Sequence, residues 1–139
     1  MKVFIDTNIA LDVLLERDPF YKESFIIFQL ADQERIIGYL SATSITDIFY
    51  LLRKAKQSSI EVYPIIDELV SLFSVVPVSD TTISSALKLR WKDFEDAVQF
   101  VVAKENNVEC IITRNKSDYQ NSDIPCMSPT DFIAFLKNN

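Results

Sequence analysis

A parallel β-sheet of four to five strands, covered by helices on both faces, is predicted by three features of this sequence. Strand-like apolar runs alternate with stretches of helical spacing along the whole chain. The strand-like runs, among them Val3-Phe4-Ile5 and Cys110-Ile111-Ile112, are continuously apolar, as strands buried on both faces are. No repeat, low-complexity stretch or linker interrupts the pattern. With 48% hydrophobic residues over 139 positions, the chain can bury one core, so residues 1–139 are expected to form a single domain.

Val3-Phe4-Ile5 is the first strand and Asp6 closes it. Thr7-Asn8 supply capping side chains for a helix carrying Ile9, Leu11, Val13, Leu14 and Leu15. Pro19, after Asp18, fits the first turn of a second helix, which continues through Phe20, Phe25, Ile26, Phe28 and Leu30 to Arg35. Ile36 to Leu40 reads as the second strand. From Ser44, the residues Ile45, Ile48, Phe49, Leu51 and Leu52 mark a helix that ends in the basic cluster Arg53 to Lys56. Another helix covers Ser59 to Phe73, with Pro64 in its first turn or interrupting it. Val75 to Val78 is a third strand, with Pro77 near its end or the strand at an edge of the sheet. Ser79-Asp80 cap a helix with Ala86, Leu87 and Leu89, and Asp93 opens the next, with Ala97, Val98, Phe100, Val101 and Ala103 on its apolar side. Cys110 to Thr113 is a fourth strand, Ile124 to Met127 a short fifth, and Pro129 starts a last helix through Leu136.

Absences narrow the chemistry. With no His there is no Ser-His-Asp or Cys-His nucleophile, no imidazole base and no His-bound zinc. A single glycine, Gly38, excludes a P-loop and a dinucleotide fingerprint, which need several. Cys110 and Cys126 alone build neither a disulfide framework nor a thiolate metal centre. The net charge of −6 argues against coating long nucleic acid through counterion release, although Arg53, Lys54 and Lys56, then Lys88, Arg90 and Lys92, then Arg114 and Lys116 form local basic groups. The longest charge-free stretches are 11 residues, too short to span a bilayer, and Met1-Lys2-Val3 opens no signal peptide. A soluble, cytoplasmic protein without membrane contact is expected.

Four acids occupy equivalent places in this layout. Asp6 closes the first strand, Asp47 follows the second, Asp96 lies in the first turn of the helix opened by Asp93, and Asp118 follows the fourth strand. In an open α/β sheet, groups beyond the carboxyl ends of the strands converge where the strand order reverses. Each acid also has a local reading. Asp6 can cap a helix, Ser44-x-x-Asp47 and Asp93-x-x-Asp96 resemble helix starts, and Asn115-x-x-Asp118 resembles a turn. Together they carry more, because unit charges about 4 Å apart repel by roughly 4 kcal/mol at an effective dielectric of about 20. A pocket concentrating such repulsion suits a cation, and all-oxygen ligands suit Mg²⁺ or Mn²⁺.

At Phe4-Ile5-Asp6-Thr7-Asn8, Asp93-Phe94-Glu95-Asp96-Ala97 and Ile112-Thr113-Arg114-Asn115-Lys116-Ser117-Asp118, the sequence resembles the PIN-domain ribonucleases, in particular the VapC-like toxins of toxin–antitoxin pairs. The resemblance runs along almost the whole chain. It implies a three-layer α/β/α sandwich and a metal-dependent endoribonuclease leaving 5′-phosphate and 3′-hydroxyl ends. Carried over, Asp6, Asp96 and Asp118 match the acidic positions that hold metal, and Asp47 completes the ring where many relatives have Glu. Thr7, Asn8, Thr113 and Asn115 match supporting polar positions. Asp93 is a further acid, read as the cap of its helix or as a supporting carboxylate. Arg53, Lys54, Arg114 and Lys116 are candidates for the RNA backbone. Two rival readings are an interaction module whose site has lapsed, given Asp47, and a haloacid-dehalogenase-type phosphatase, whose second Asp is here Asn8. Large apolar side chains crowd Pro19 to Leu52. With the resemblance, they lead to the expectation of a homodimer or an antitoxin complex built on the helices around Pro19–Arg35 and Ser44–Lys56, with Tyr21, Ile27 and Tyr50 as candidate contacts.

Overall fold

The computed structural model describes residues 1–139 and contains one five-stranded sheet, all parallel. Its strands are β1 (Lys2–Ile5), β2 (Ile37–Ser41), β3 (Ser74–Val76), β4 (Cys110–Ile112) and β5 (Cys126–Met127), in the order β3-β2-β1-β4-β5. The chain builds outward from β1 to β3 and then returns to the other flank of β1. The strand order therefore reverses between β1 and β4, where Val3 pairs with Cys110 and Ile5 with Ile112.

Successive side chains of a strand point to opposite faces, so continuous apolar strands demand two cores. Val3 and Ile5 enter one with Cys110 and Ile112; Phe4 and Ile111 enter the other. The first core is covered by α1 (Thr7–Leu14), α2 (Tyr21–Asp32), α3 (Ala42–Lys56), α4 (Ser59–Leu72) and α7 (Pro129–Lys137). The second is covered by α5 (Asp80–Leu89) and α6 (Phe94–Glu105), with a 3₁₀ turn at Lys116–Tyr119 closing it through Tyr119. This is the three-layer sandwich expected. No helix is long and apolar enough to cross a membrane.

The lone glycine has a steric reason. A Cβ on Gly38 would lie 2.5 Å from Cδ1 of buried Phe73, which packs edge-on against Phe28. Several expected boundaries move. Pro19 lies outside α2, which starts at Tyr21, and the helix stops at Asp32 before Glu34 turns left-handed (φ 57°). Helix α3 begins at Ala42, because Ser41 caps it by accepting from the Ser44 N–H at 3.2 Å. The Ser44-x-x-Asp47 start is thereby overturned, and Asp47 stands exposed one turn further along. Pro64 lies inside α4 without ending it. Ile27 is fully buried in the first core and offers nothing to a partner, whereas Tyr50 is 57% exposed and Tyr21 half-buried.

Candidate active site

The carboxyl edge of the sheet at the reversal point is built around Asp6. The end of β1 delivers it, and its side chain caps α1, with Oδ1 accepting from the Asn8 N–H at 3.1 Å. Oδ2 accepts from the Thr113 hydroxyl at 2.7 Å, just beyond β4, and Thr113 Oγ1 in turn accepts from the Asn115 N–H at 3.1 Å. Asp6 is only 3% exposed. Burial raises its pKa against the lowering effect of these donors and of Arg114.

Asp96 arrives from the opposite side of the same edge. Asp93 caps α6 by accepting from the Asp96 N–H at 3.2 Å, which fixes the first turn and places Asp96 toward Asp6. The Asp96 carboxyl is pushed up to about 7, first by burial and then by the charges of Asp6, Asp93, Asp118 and Glu95. Glu95 is raised as well, by burial and then by Asp47, Asp93 and Asp6. Asp47 and Glu95 line one hollow with Thr7 and Asn8, of about 330 Å³. Asp93 and Asp118 line another, of about 410 Å³. Of the four expected acids, Asp47 and Asp118 thus lie in two separate hollows on either side of Asp6 and Asp96.

A buried polar network holds this centre. The Gln99 Oε1 accepts from both the N–H and the hydroxyl of Thr7, at 3.1 and 3.2 Å. A backbone N–H can only donate, so the amide oxygen must face Thr7 and the NH₂ must face the acids. That NH₂ donates to the Tyr119 hydroxyl at 3.1 Å and, at the long distance of 3.5 Å, to Asp96. With its proton given to Gln99, Thr7 accepts from Ser44 at 2.7 Å, and Ser44 accepts from Ser41 at 2.8 Å. Every hydroxyl in this chain therefore donates toward the acids. No buried side-chain nitrogen or oxygen lacks a partner. Ser41, Ser44, Gln99, Tyr119 and Glu95 were not among the residues expected at the site. Gln99 did carry a signal, as a polar residue within the apolar run Ala97 to Ala103 and three positions after Asp96.

The basic residues divide differently from expectation. Arg114 is taken up by Asp12, with Nε donating at 2.8 Å and Nη2 at 3.3 Å, and its guanidinium lies 4.1 Å from the centre of the Phe20 ring. This corrects Arg114 as a free backbone contact, because its donors neutralise a carboxylate that is fully buried. Lys116 meets Asp131 at 3.0 Å in an exposed pair, which contributes little. Arg53 and Lys54 stand exposed in the last turn of α3.

The site fits a hard divalent cation by the chemistry of its donors, since every acid in it is a carboxylate and none takes part in an ion pair with Lys or Arg. As the side chains stand, no three acids converge closely enough to hold an ion together. Ligation would draw in the exposed Asp47, Glu95 and Asp118 by side-chain rotation or through water.

Comparison with known proteins identifies the family and the fold. Ribonuclease VapC1 of Aquifex aeolicus (strain VF5) is 27% identical over 136 residues, covering 94% of this chain and 92% of that protein. Mycobacterium tuberculosis VapC20, a toxin that cleaves the sarcin–ricin loop, superposes with a TM-score of 0.68 at 15% identity over 86% of this chain and 94% of that one. A toxin–antitoxin complex from Klebsiella pneumoniae gives 0.66 at 21% identity over 91% and 97%. Residues 2–117 match the family model of the PIN domain. By that match over most of its length, the chain belongs to the PIN-domain family.

Proposed function

We propose that this protein is a metal-dependent endoribonuclease and the toxin of a toxin–antitoxin pair. The observation that carries the reading is the pair of buried Asp6 and half-buried Asp96, two carboxylates that repel each other and form no ion pair with a basic side chain. A fold that gathers negative charge and leaves it uncompensated is arranged for a cation. The relative named as a ribonuclease and the solved toxin–antitoxin complex support the substrate class and the partner.

Asp6, Asp96 and Asp118 would hold Mg²⁺ or Mn²⁺, with Asp47 from α3 and supporting groups Asn8, Asp93, Thr113 and Asn115 around them. A divalent cation bound there supplies a water of lowered pKa and neutralises charge building on the phosphate. The chain's own residues do the rest. Thr113 and the Asn8 N–H aim Asp6 and favour its charged form by donating to it, against the raising effect of burial, and Gln99 steadies Asp96. Arg53, Lys54 and Lys116 remain exposed for the RNA backbone. An antitoxin, or a second copy of the chain, covers the outer apolar face of the early helices, where Tyr50 of α3 and Tyr63 of α4 are 57% and 61% exposed. The reading places the protein in the cytoplasm with its RNA.

Incubating the protein with structured and single-stranded RNA and Mg²⁺ or Mn²⁺ tests this, beside an Asp6→Asn control. Metal-dependent fragments with 5′-phosphate and 3′-hydroxyl ends, absent with Asp6→Asn, are expected. Cleavage that survives the substitution, or no cleavage with either metal, overturns the reading in favour of a lapsed site.

A further inference from the structure

The hollow beside Asp118 holds what the acids cannot supply, which is a grip on a polyanion. It is lined by the four-residue connection from α5 to α6, Arg90-Trp91-Lys92-Asp93. Arg90 and Lys92 are exposed and take part in no ion pair, unlike Arg114 and Lys116. Between them, the Trp91 ring is half-buried, stacked on Phe100 (centroids 4.9 Å apart, 29° between planes) and edge-on to Tyr119 at 6.1 Å. Packing on two sides makes the indole a fixed platform. Gln120, Asn121 and Asp118 also line the hollow. At about 410 Å³, the hollow lies within the range of about 300–1,000 Å³ usual for small-ligand sites.

Resting on the ribonuclease reading, we infer that this hollow is a nucleotide subsite. It takes an unpaired ribonucleotide next to the scissile bond, with its base on Trp91, its flanking phosphates on Arg90 and Lys92, and its base edge on Gln120 and Asn121. The charge balance favours a local grip of this kind beside the acids. A chain of net charge −6 draws RNA weakly from a distance, so the strand must be held by cations adjoining the acids. An aromatic platform flanked by cations is the arrangement that holds single strands, whereas a duplex keeps its bases stacked and out of reach. Gln120 and Asn121 each offer a donor and an acceptor, the chemistry needed to prefer one base over another. Subsite and acids are also linked mechanically, because Trp91 packs on Tyr119, whose hydroxyl accepts from Gln99.

Trp91 is the only tryptophan, so its emission reports the subsite directly. The full chain, kept metal-free with a chelator so that nothing is cut, is titrated with a short single-stranded oligoribonucleotide and with its duplex. Quenching by the single strand and weaker quenching by the duplex are expected. Arg90→Asn suits the left-handed backbone at that position (φ 52°) and removes the charge. It and Lys92→Gln should each lower the salt dependence of binding by about one phosphate contact, uniformly across sequences. Gln120→Leu should change the preference among bases. Trp91→Ala should weaken binding by about tenfold or more, read by polarisation of a labelled RNA. Lys137→Gln, at the far end of α7, should leave binding unchanged. Single-strand binding without change in Trp91 emission, or Arg90→Asn and Lys92→Gln variants that bind and cleave with wild-type KM, overturns the subsite and leaves the ribonuclease reading standing. Failure to bind any RNA and to cleave it overturns both.

Discussion

Two sets of aspartates within one small domain are treated in opposite ways. The Asp12 side chain, on the buried side of α1, is wholly inaccessible and meets Arg114 through two nitrogens and Arg17 at 3.5 Å. Asp6 and Asp96, at the carboxyl edge, receive hydrogen bonds but no cation, and carry raised pKa values instead. Removing charge from water is costly either way. At Asp12 the chain supplies the counter-charge itself, tying α1 to the turn after β4 across 102 residues of sequence. At Asp6 and Asp96 it withholds one. An acid neutralised from within serves the fold, and an acid left open serves something that arrives from outside.

Substitution at Asp96 breaks the comparison most sharply. Asp96→Asn keeps the size of the side chain and its place in α6 but removes the anion. RNA cleavage should fall by more than about a hundredfold, beyond the loss seen when only a supporting partner of a metal ligand is changed. Urea unfolding of the metal-free protein should show no loss of stability. Substitution at the other set should do the reverse. Asp12→Asn leaves the Arg114 guanidinium without its carboxylate and should cost about 3 kcal/mol in urea unfolding. If Asp12→Asn were as stable as the parent, the division between compensated and open acids would fail.

Gln99→Leu sharpens the contrast at the open site. It removes both the oxygen held by Thr7 and the NH₂ offered to Asp96 and Tyr119. Mn²⁺ affinity, measured calorimetrically, should drop by about 10–100-fold, as for a lost partner of a metal ligand. The last effect is one of pH. The Asp96 carboxyl titrates at about 7 in the folded protein against its ordinary 3.8, so between those values the folded state binds more protons than the unfolded one. Stability of the metal-free protein should therefore decline as pH rises through that window, and Asp6, also raised, adds in the same direction. Asp96→Asn should flatten the decline, which thermal melts from about pH 4 to about pH 8 would reveal.

What the sequence revealed, and what it hid, follows from the range of the interactions. Strand cores such as Val3-Phe4-Ile5 announce themselves through continuous apolarity. Asp93 and Ser79 announce helix starts by side chains that bond within three residues. Position in the layout predicts Asp6, Asp47, Asp96 and Asp118 beyond the strand ends, but not the separation of Asp47 and Asp118 into two hollows. Structure departs from sequence expectation where two local signals compete. Ser44-x-x-Asp47 imitates a capping pattern that Ser41 satisfies three residues earlier, and Pro19 fits a helix start that the chain delays to Tyr21. The commitment of Arg114 to Asp12 and of Gln99 to Thr7 had no local signal, since partners about a hundred residues apart meet only once the sheet has formed. The burial of Ile27 is hidden from the sequence for a related reason. A helix apolar nearly all round does not disclose which of its residues the neighbouring helices cover.

The two outermost strands have a consequence for how this molecule lives among copies of itself. Strand β3 has three residues and runs into Pro77, and β5 has two and follows Pro125. Exposed main-chain donors and acceptors at a sheet margin are templates for runaway strand addition, and brevity with flanking prolines is a common protection. A protein with so apolar a centre is thereby kept from polymerising through its sheet. A companion chain finds almost no backbone ladder to extend, so recognition must proceed through side chains on the helices or at the acidic edge.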